Sequence, residues 1–154
     1  ITNFEINELN RLLQSNVVFI AATQAALLKA ERLLRGSRLC IVSSIWQLES
    51  RPGKLAYSTS KAALHGLVKS CAIDLGEKGI LINAVLPGVV DTPMTREHLT
   101  SEQISTITSQ TALHRLAKPT DIASAVAFLV SPINNAITGQ FLTVDAGFSG
   151  LKYL

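Results

Sequence analysis

Charged residues are scarce in this chain. Asp, Glu, Lys and Arg make up 16% of its 154 residues, where a typical domain has about 25%. The 14 basic and 11 acidic side chains leave a formal net charge of +3, and the basic residues are scattered rather than clustered. So weak a field argues against a nucleic-acid partner. The 47% apolar content predicts either a large core or an apolar contact surface.

Cysteine is almost absent. Cys40 and Cys71 both fall in apolar stretches, without the CxxC or Cys/His spacing of a metal site. This pattern favours reduced, buried thiols over a disulfide framework. It predicts a cytoplasmic location and no metal.

A long uninterrupted apolar run is also missing. The two longest uncharged stretches, 12–28 and 122–144, contain Gln, Ser and Asn side chains, so neither is predicted to span a membrane. No signal-peptide pattern precedes them. The first residue is Ile1 rather than Met, which suggests a slice of a longer chain or a processed product.

Glycine-rich turns of the kind that bind phosphate are absent too. Helical and β-rich periodicities nevertheless alternate along the chain, as they do in α/β proteins. Strands that are apolar on both faces are typical of a parallel sheet covered by helices. The sequence therefore predicts the second half of a doubly wound parallel-sheet domain, with the N-terminal half absent. The predicted helices are 9–34, 58–77 and 122–130, the predicted strands are 38–44, 80–86 and 140–144, and 89–117 is a polar segment with one or two short helices.

Tyr57 and Lys61 form the sharpest local constellation. A spacing of four places both side chains on one face of the predicted helix, about 5 to 6 Å apart at Cβ. An ammonium favours the ionised form of a nearby phenol, which suits that phenol to act as a general acid or base. Taken alone, such a pair is more often an ordinary helix-start tyrosine beside a solvated lysine.

Polar residues elsewhere add to this pair. Ser44 ends the preceding strand, at the edge where open α/β sheets place their ligands. There it can donate to a substrate oxygen or cap its own turn. Asn16 interrupts an apolar helical stretch, where a buried amide needs partners, and bonding a helix carbonyl is an equal alternative.

The second predicted strand is followed by a turn with chemistry of its own, which runs from Pro87 and Gly88 through Val90 to Thr92. The backbone groups of this turn and the Thr92 hydroxyl suit contact with a planar amide or a phosphate. By itself the segment is an ordinary strand-exit turn.

Together these residues resemble the short-chain dehydrogenases/reductases, which are NAD(P)-dependent oxidoreductases on a Rossmann fold. The family's Y-x-x-x-K is matched by Tyr57 and Lys61, its upstream serine by Ser44 and, more loosely, its helix asparagine by Asn16. Its N-x-(I/V)-x-P-G-x-(I/V)-x-T is matched over 83–92. The family's C-terminal pattern is matched by Arg115, Pro119, 121–123, 128–129, Ser131, 138–139 and 144–147, with Ala146 in place of a family glycine.

The resemblance implies hydride transfer between a small-molecule carbonyl or alcohol and NAD or NADP. Tyr57 would transfer the proton, Ser44 would hold the substrate oxygen, and Asn16 would hold a water that joins Lys61 to solvent. Lys61 would also assist Tyr57 and bind the nicotinamide ribose. The residues that would contact the cofactor are Tyr57, Lys61, Pro87, Gly88, Val90 through its backbone, and Thr92.

The resemblance also bears on substrate and assembly. Trp46, Gln47 and Met94 are candidates for the substrate wall, with 93–113 as a lid, and a homodimer or homotetramer would form on the helices over 12–34 and 58–75. The family's glycine turn and the residue that selects NAD or NADP are not in this sequence. The alternative function is a non-catalytic truncated module for dimerisation or scaffolding, which would have no need of Ser44, Tyr57 and Lys61 together.

These 154 residues by themselves are expected not to catalyse hydride transfer. Dinucleotide affinity depends heavily on N–H groups of the glycine turn and of the first helix facing the pyrophosphate. The strand before Ser44 should also present an unpaired edge that associates with other chains. Fluorescence titration of the purified chain with NADH and NADPH, alongside an assay on generic carbonyl substrates, checks this. Low-micromolar dissociation constants with turnover would contradict it.

Overall fold

The helices and strands follow one another in the predicted order. The computed structural model describes residues 4–150. A π-helix, Gln14–Val18, joins the first two α-helices, and a 3₁₀ helix, Ile45–Gln47, follows the first strand. The α-helices are α1 (Ile6–Leu13), α2 (Phe19–Lys29), α3 (Leu55–Gly76), α4 (Pro93–His98), α5 (Ser101–Ser109) and α6 (Pro119–Val130), and the strands are β1 (Arg38–Val42), β2 (Leu81–Pro87) and β3 (Phe141–Val144).

The three strands form one parallel sheet in the order β1-β2-β3. On one face, Leu64 and Val68 of α3 pack with Ile82 of β2 in the buried core. Because side chains alternate along a strand, the neighbouring Asn83 points to the other face, where its Nδ2 donates to the Ile137 carbonyl at 2.8 Å. Helices cover both faces, which confirms the predicted α/β class with a parallel sheet.

The predicted helix over 9–34 is wrong at both ends and in its middle. It begins earlier, changes to π geometry, and ends at Lys29. There Glu31 takes a positive φ of 53°, and the Arg32 N–H donates to the Leu27 carbonyl at 2.8 Å. This closure satisfies the last helix carbonyls and turns the chain toward β1, a change of direction that apolar spacing alone does not show.

α6 begins at Pro119, within the segment 118–121 whose Pro and Thr or Asp residues predict a helix start. Pro119 occupies the first turn, where its missing N–H costs nothing, and the Asp121 carboxylate accepts a hydrogen bond from the Lys118 N–H at 2.9 Å. Arg115 donates to the same carboxylate at 2.6 Å. Helical geometry therefore begins three residues before the apolar pattern does.

β1 lies at the edge of the described sheet and pairs only with β2. The side chain of Val42 is 50% exposed there. Cys40, in the same strand, is half-buried and free, as is Cys71, and burial raises the pKa of both thiols. The predicted open apolar edge is confirmed within residues 4–150.

The helical run Ile6–Lys29 is long and apolar enough, over its 24 residues, to cross a membrane by length and composition. The sequence prediction that no membrane span is present considered only the uncharged stretch 12–28. The helical run is longer than that stretch, because it begins at Ile6 and continues through the polar residues. The same run packs along α3, to which Asn16 is hydrogen-bonded. Val18 and Phe19 are exposed on its outer surface. The absence of a membrane partner stays a prediction.

Ala146, which stands in place of a family glycine, has a positive φ of 58°. A Cβ in this left-handed region crowds the following carbonyl oxygen, at a cost of roughly 1–2 kcal/mol. The position is held by its neighbours, since the Leu113 N–H donates to the Ala146 carbonyl at 3.1 Å and the Asp145 carboxylate accepts from the Gly147 N–H at 2.9 Å. The alanine that replaces the family glycine therefore strains the backbone at this position.

Ala146→Gly is expected to stabilise the protein by about 1 kcal/mol, because glycine adopts positive φ without steric cost. Denaturant unfolding measures the difference. Ala62→Gly is the matched control, since Ala62 lies exposed inside α3, where glycine costs about 1 kcal/mol. The same substitution should thus have opposite signs at the two positions. Loss of stability at Ala146 would show that the turn gains nothing from glycine.

Candidate active site

The candidate site lies at the carboxyl edge of the parallel sheet. Ser44 follows β1, Pro87 is the last residue of β2, and Tyr57 lies in the first turn of α3. The 3₁₀ helix after Ser44 packs against α3 and β2, so residues far apart in sequence come to the same edge. This is where open α/β sheets bind their ligands.

Tyr57 and Lys61 lie one turn apart in α3. The Lys61 Nζ is 5.7 Å from the centre of the Tyr57 ring, and the Nζ of Lys54, just before the helix, is 5.6 Å from the same ring. Burial of the Lys61 ammonium lowers its pKa, and within residues 4–150 no carboxylate is paired with it. The phenol is therefore flanked by two ammonium groups, one of them partly desolvated.

Ser44 is buried and caps the 3₁₀ helix. Its Oγ accepts a hydrogen bond from the Trp46 N–H at 3.3 Å. Among the described residues its own hydroxyl proton has no acceptor, and a hydroxyl can donate and accept at once. The two roles weighed from the sequence, capping and donation, are thus compatible.

Asn16 lies in the π-helix and reaches across to α3. Its Nδ2 donates to Ser60 Oγ at 3.0 Å, and Ser60 Oγ donates to the Tyr57 carbonyl at 2.8 Å. The amide is therefore tied to the turn that carries both Tyr57 and Lys61. The alternative of a bond to a helix carbonyl is not what the structure shows.

Sequence reasoning missed both the π turn and Ser60. The Phe19 N–H donates to the Gln14 carbonyl, five residues back, which is the hydrogen bond of a π turn. π turns of this kind recur at functional sites. The available signal was a serine three residues after Tyr57, a spacing at which serine side chains often bond the backbone.

Residues of the turn after β2 also make contacts that stabilise the fold. A Cβ added at Gly88 would lie 2.6 Å from the Asp145 Cβ, so only glycine fits against β3. The Val90 carbonyl accepts from Thr95 Oγ1 at 2.6 Å, whereas the Val90 N–H has no acceptor among the described residues. Thr92 Oγ1 accepts from the Thr95 N–H at 3.2 Å and so caps α4. The cofactor roles of Pro87, Gly88, Val90 and Thr92 stay predictions.

A cavity of about 390 Å³ opens beside the start of α3. Trp46, Val89, Leu99 and Phe148 form its apolar walls, and its polar lining includes Lys54, whose Nζ also lies over Tyr57. Trp46, a candidate for the substrate wall, lines this cavity, and its contact with substrate stays a prediction. The cavity is large enough for a small organic molecule, and Lys54 connects its lining to Tyr57, which does not itself line it.

The other two wall candidates, Gln47 and Met94, do not line this cavity. Gln47 is buried and its Oε1 accepts from Ser43 Oγ at 2.8 Å, while its Nε2 has no partner among the described residues. Met94 is 70% exposed on α4. The substrate-wall roles of Gln47 and Met94 stay predictions.

Comparison with known proteins gives one consistent result. The family model described as Enoyl-(Acyl carrier protein) reductase matches residues 1–149. Cyclopentanol dehydrogenase of Comamonas sp. (strain NCIMB 9872) is 36% identical over 143 residues, 92% of this chain and 57% of that protein. Among solved structures, 4-hydroxyisoleucine dehydrogenase complexed with NADH superposes with a TM-score of 0.86 at 29% identity over 98% of this chain and 63% of that one. ElxO with NADP bound does so with a TM-score of 0.84 at 28% identity over 96% and 60%.

The fold, a parallel sheet with its polar residues at the carboxyl edge, is thus that of a Rossmann-type oxidoreductase. The chain belongs to the short-chain dehydrogenase/reductase family. It spans about 57% of the length of the curated relative described above.

Lys61→Met is expected to raise the free energy of unfolding at neutral pH, because the folded protein no longer buries an ammonium. Burial lowers the folded-state pKa of Lys61, so the unfolded chain binds more protons and wild-type stability rises as pH increases through that pKa. The advantage of the variant should therefore shrink toward alkaline pH. Thermal unfolding from pH 7 to pH 10 measures this trend.

Lys78→Met is the matched control, since Lys78 lies exposed just after α3. It should change stability little and equally at every pH. A Lys61→Met protein that is less stable than wild type across the whole range would show that contacts of the ammonium, such as the Tyr57 ring, outweigh its desolvation.

Proposed function

We propose that the protein containing this chain is an NAD(P)-dependent oxidoreductase that interconverts a carbonyl and an alcohol. The observation that carries the proposal is the linked group of Asn16, Ser60, Tyr57 and Lys61 beside Ser44 at the carboxyl edge of the sheet. A non-catalytic module would have no need to keep an unpaired, partly buried lysine against a phenol. Membership of an oxidoreductase family supports the same conclusion.

The residues present fit a dinucleotide of either kind. Lys61 offers an ammonium without a carboxylate partner, and Val90 offers an N–H without an acceptor, which suit a ribose hydroxyl and a carboxamide oxygen respectively. Pro87, Gly88 and Thr92 shape the turn that would border the ring, and Tyr57 would contact the ribose. When bound, NAD or NADP supplies the hydride acceptor or donor. Solved relatives with NADH and with NADP both occur, so either cofactor is compatible.

The proton would move through Tyr57. The Ser44 hydroxyl donates a hydrogen bond to the substrate oxygen and so holds that oxygen near the phenol. Tyr57 transfers the proton to or from that oxygen. Negative charge that develops on the phenol oxygen is stabilised by the ammonium group of Lys61, whose effect is strengthened by its partial burial.

Asn16 would maintain the proton supply. Its side chain is fixed by Ser60 and lies in the π turn Gln14–Val18. A water held there can connect Lys61 to solvent, since the Asn16 amide oxygen would accept from it and the Lys61 ammonium would donate to it. Asn16 thus positions the relay rather than touching the substrate.

The exposed apolar surface of the first helical run supports a homodimer or homotetramer. Val18 and Phe19 are 46% and 68% exposed on the outer side of that run, and Ile73 of α3 is 77% exposed. Covering such residues against a second copy of the chain would remove apolar area from water. A cytoplasmic location and the absence of a nucleic-acid partner stay predictions.

Tyr57→Phe in the complete protein is expected to lower kcat by at least about 100-fold, since only the proton-transferring hydroxyl is removed. The dissociation constant of the cofactor should stay within a few fold of the wild-type value. Steady-state kinetics and NAD(P)H fluorescence titration provide the two measurements. Lys61→Ala is the comparison variant, and it should damage turnover and cofactor affinity together. Near-normal kcat in Tyr57→Phe would mean that another group moves the proton.

A further inference from the structure

Two cationic side chains, Arg51 and Lys54, line the 390 Å³ cavity at the start of α3. The guanidinium of Arg51 lies over the Trp46 ring, 5.7 Å from its centre, and the Lys54 ammonium lies over the Tyr57 ring. Both are held against aromatic faces, a contact that leaves N–H donors available. The proposed reaction does not by itself require a cation at either position.

Neither cation is neutralised by the protein. Within residues 4–150 the ion pairs are Asp91 with Arg96 and Arg115 with Asp121. Glu49 also lines the cavity, but its carboxylate is not within ion-pair distance of Arg51 or Lys54. The lining therefore carries two positive charges and one negative charge, and both cations are free to bind an anion.

Lys54 lines the cavity and also lies over the ring of Tyr57, the residue proposed to transfer the proton. Its Nζ is 5.6 Å from the centre of the Tyr57 ring, so an anionic group bound there lies close to the phenol. Arg51 presents a planar fork of donors that matches carboxylate and phosphate oxygens. The apolar walls formed by Trp46, Val89 and Phe148 suit a short hydrocarbon portion between the anion and the reacting carbon.

We propose, on the basis of the proposed oxidoreductase function, that the substrate carries an anionic group, carboxylate or phosphate, which Arg51 and Lys54 bind while its carbonyl or alcohol carbon faces Tyr57. Arg51 and Lys54 are then determinants of substrate specificity. Because they bind a part of the substrate that does not react, their loss acts mainly on KM. A cavity of this volume favours a small hydroxy acid, keto acid or phosphate ester over a bulky substrate.

The test compares matched substrates in the complete protein with both cofactors. Hydroxy acids of four to six carbons are assayed against their methyl esters, and hydroxyalkyl phosphates against the corresponding free alcohols. Wild type should prefer the anionic member by about tenfold or more in kcat/KM, the loss expected for hydrogen bonds to a charged group. Whichever anionic arm shows the larger preference identifies the group as carboxylate or phosphate.

The variants distinguish the effect of the Arg51 and Lys54 charges on substrate preference from an effect on folding. Arg51→Gln and Lys54→Gln should each raise KM for the anionic substrate and, combined, bring the preference close to one. Arg51→Lys and Lys54→Arg keep the charge and should retain much of the preference. Lys29→Gln, which removes an exposed cation at the end of α2, should leave the preference unchanged. Equal kcat/KM for anionic and neutral substrates in wild type, or an unchanged preference in the double variant, would overturn the proposal.

A binding measurement distinguishes failure of this inference from failure of the proposed function. Trp46 is the one tryptophan of these 154 residues and lies in the cavity wall, so its fluorescence should change on addition of butyrate or inorganic phosphate but not of butyramide. Trp46→Phe identifies that signal, and Arg51→Gln with Lys54→Gln should abolish it. The signal without turnover of any substrate would refute the oxidoreductase and keep the anion site. Turnover without the signal would refute the anion site alone.

Discussion

The parallel pairing of β1 with β2 is the constraint on which the rest of the site depends. Parallel strands end at the same edge, so Ser44 and the turn after Pro87 are brought together although they are far apart in sequence. The crossover that parallel pairing requires is α3, whose first turn carries Tyr57. Packing of Leu64 and Val68 against the sheet then sets where the phenol and Lys61 lie.

Three residues at this edge of the sheet are desolvated, strained or sterically confined. Lys61 is partly buried without a carboxylate partner, which disfavours its charged form. Ala146 holds a left-handed backbone conformation, and Gly88 approaches Asp145 too closely to permit a side chain. Strain and desolvation of this kind are typical of functional sites, whereas Ile82 and Leu86 are fully buried in the apolar core.

Local features were predictable because they depend on neighbouring residues. The order of helices and strands follows from periodicity, and the spacing of Tyr57 and Lys61 follows from helical geometry. The end of the first helical run was less predictable, since the closure at Glu31 depends on hydrogen bonds that apolar spacing does not report. The direction of the Gln47 side chain was not predictable for a related reason, because the geometry of a single 3₁₀ turn decides that its amide faces Ser43.

By itself the sequence determined the α/β class, the parallel sheet and the identity of the residues at the strand ends, all of which are encoded in local pattern and motif spacing. Only the tertiary structure decided that Asn16 reaches α3 through Ser60, 44 residues away, and that Arg51 and Lys54 line one cavity with Trp46 and Phe148. These contacts join segments that no local rule connects. They arise because packing the helices on the sheet brings those segments to the same edge.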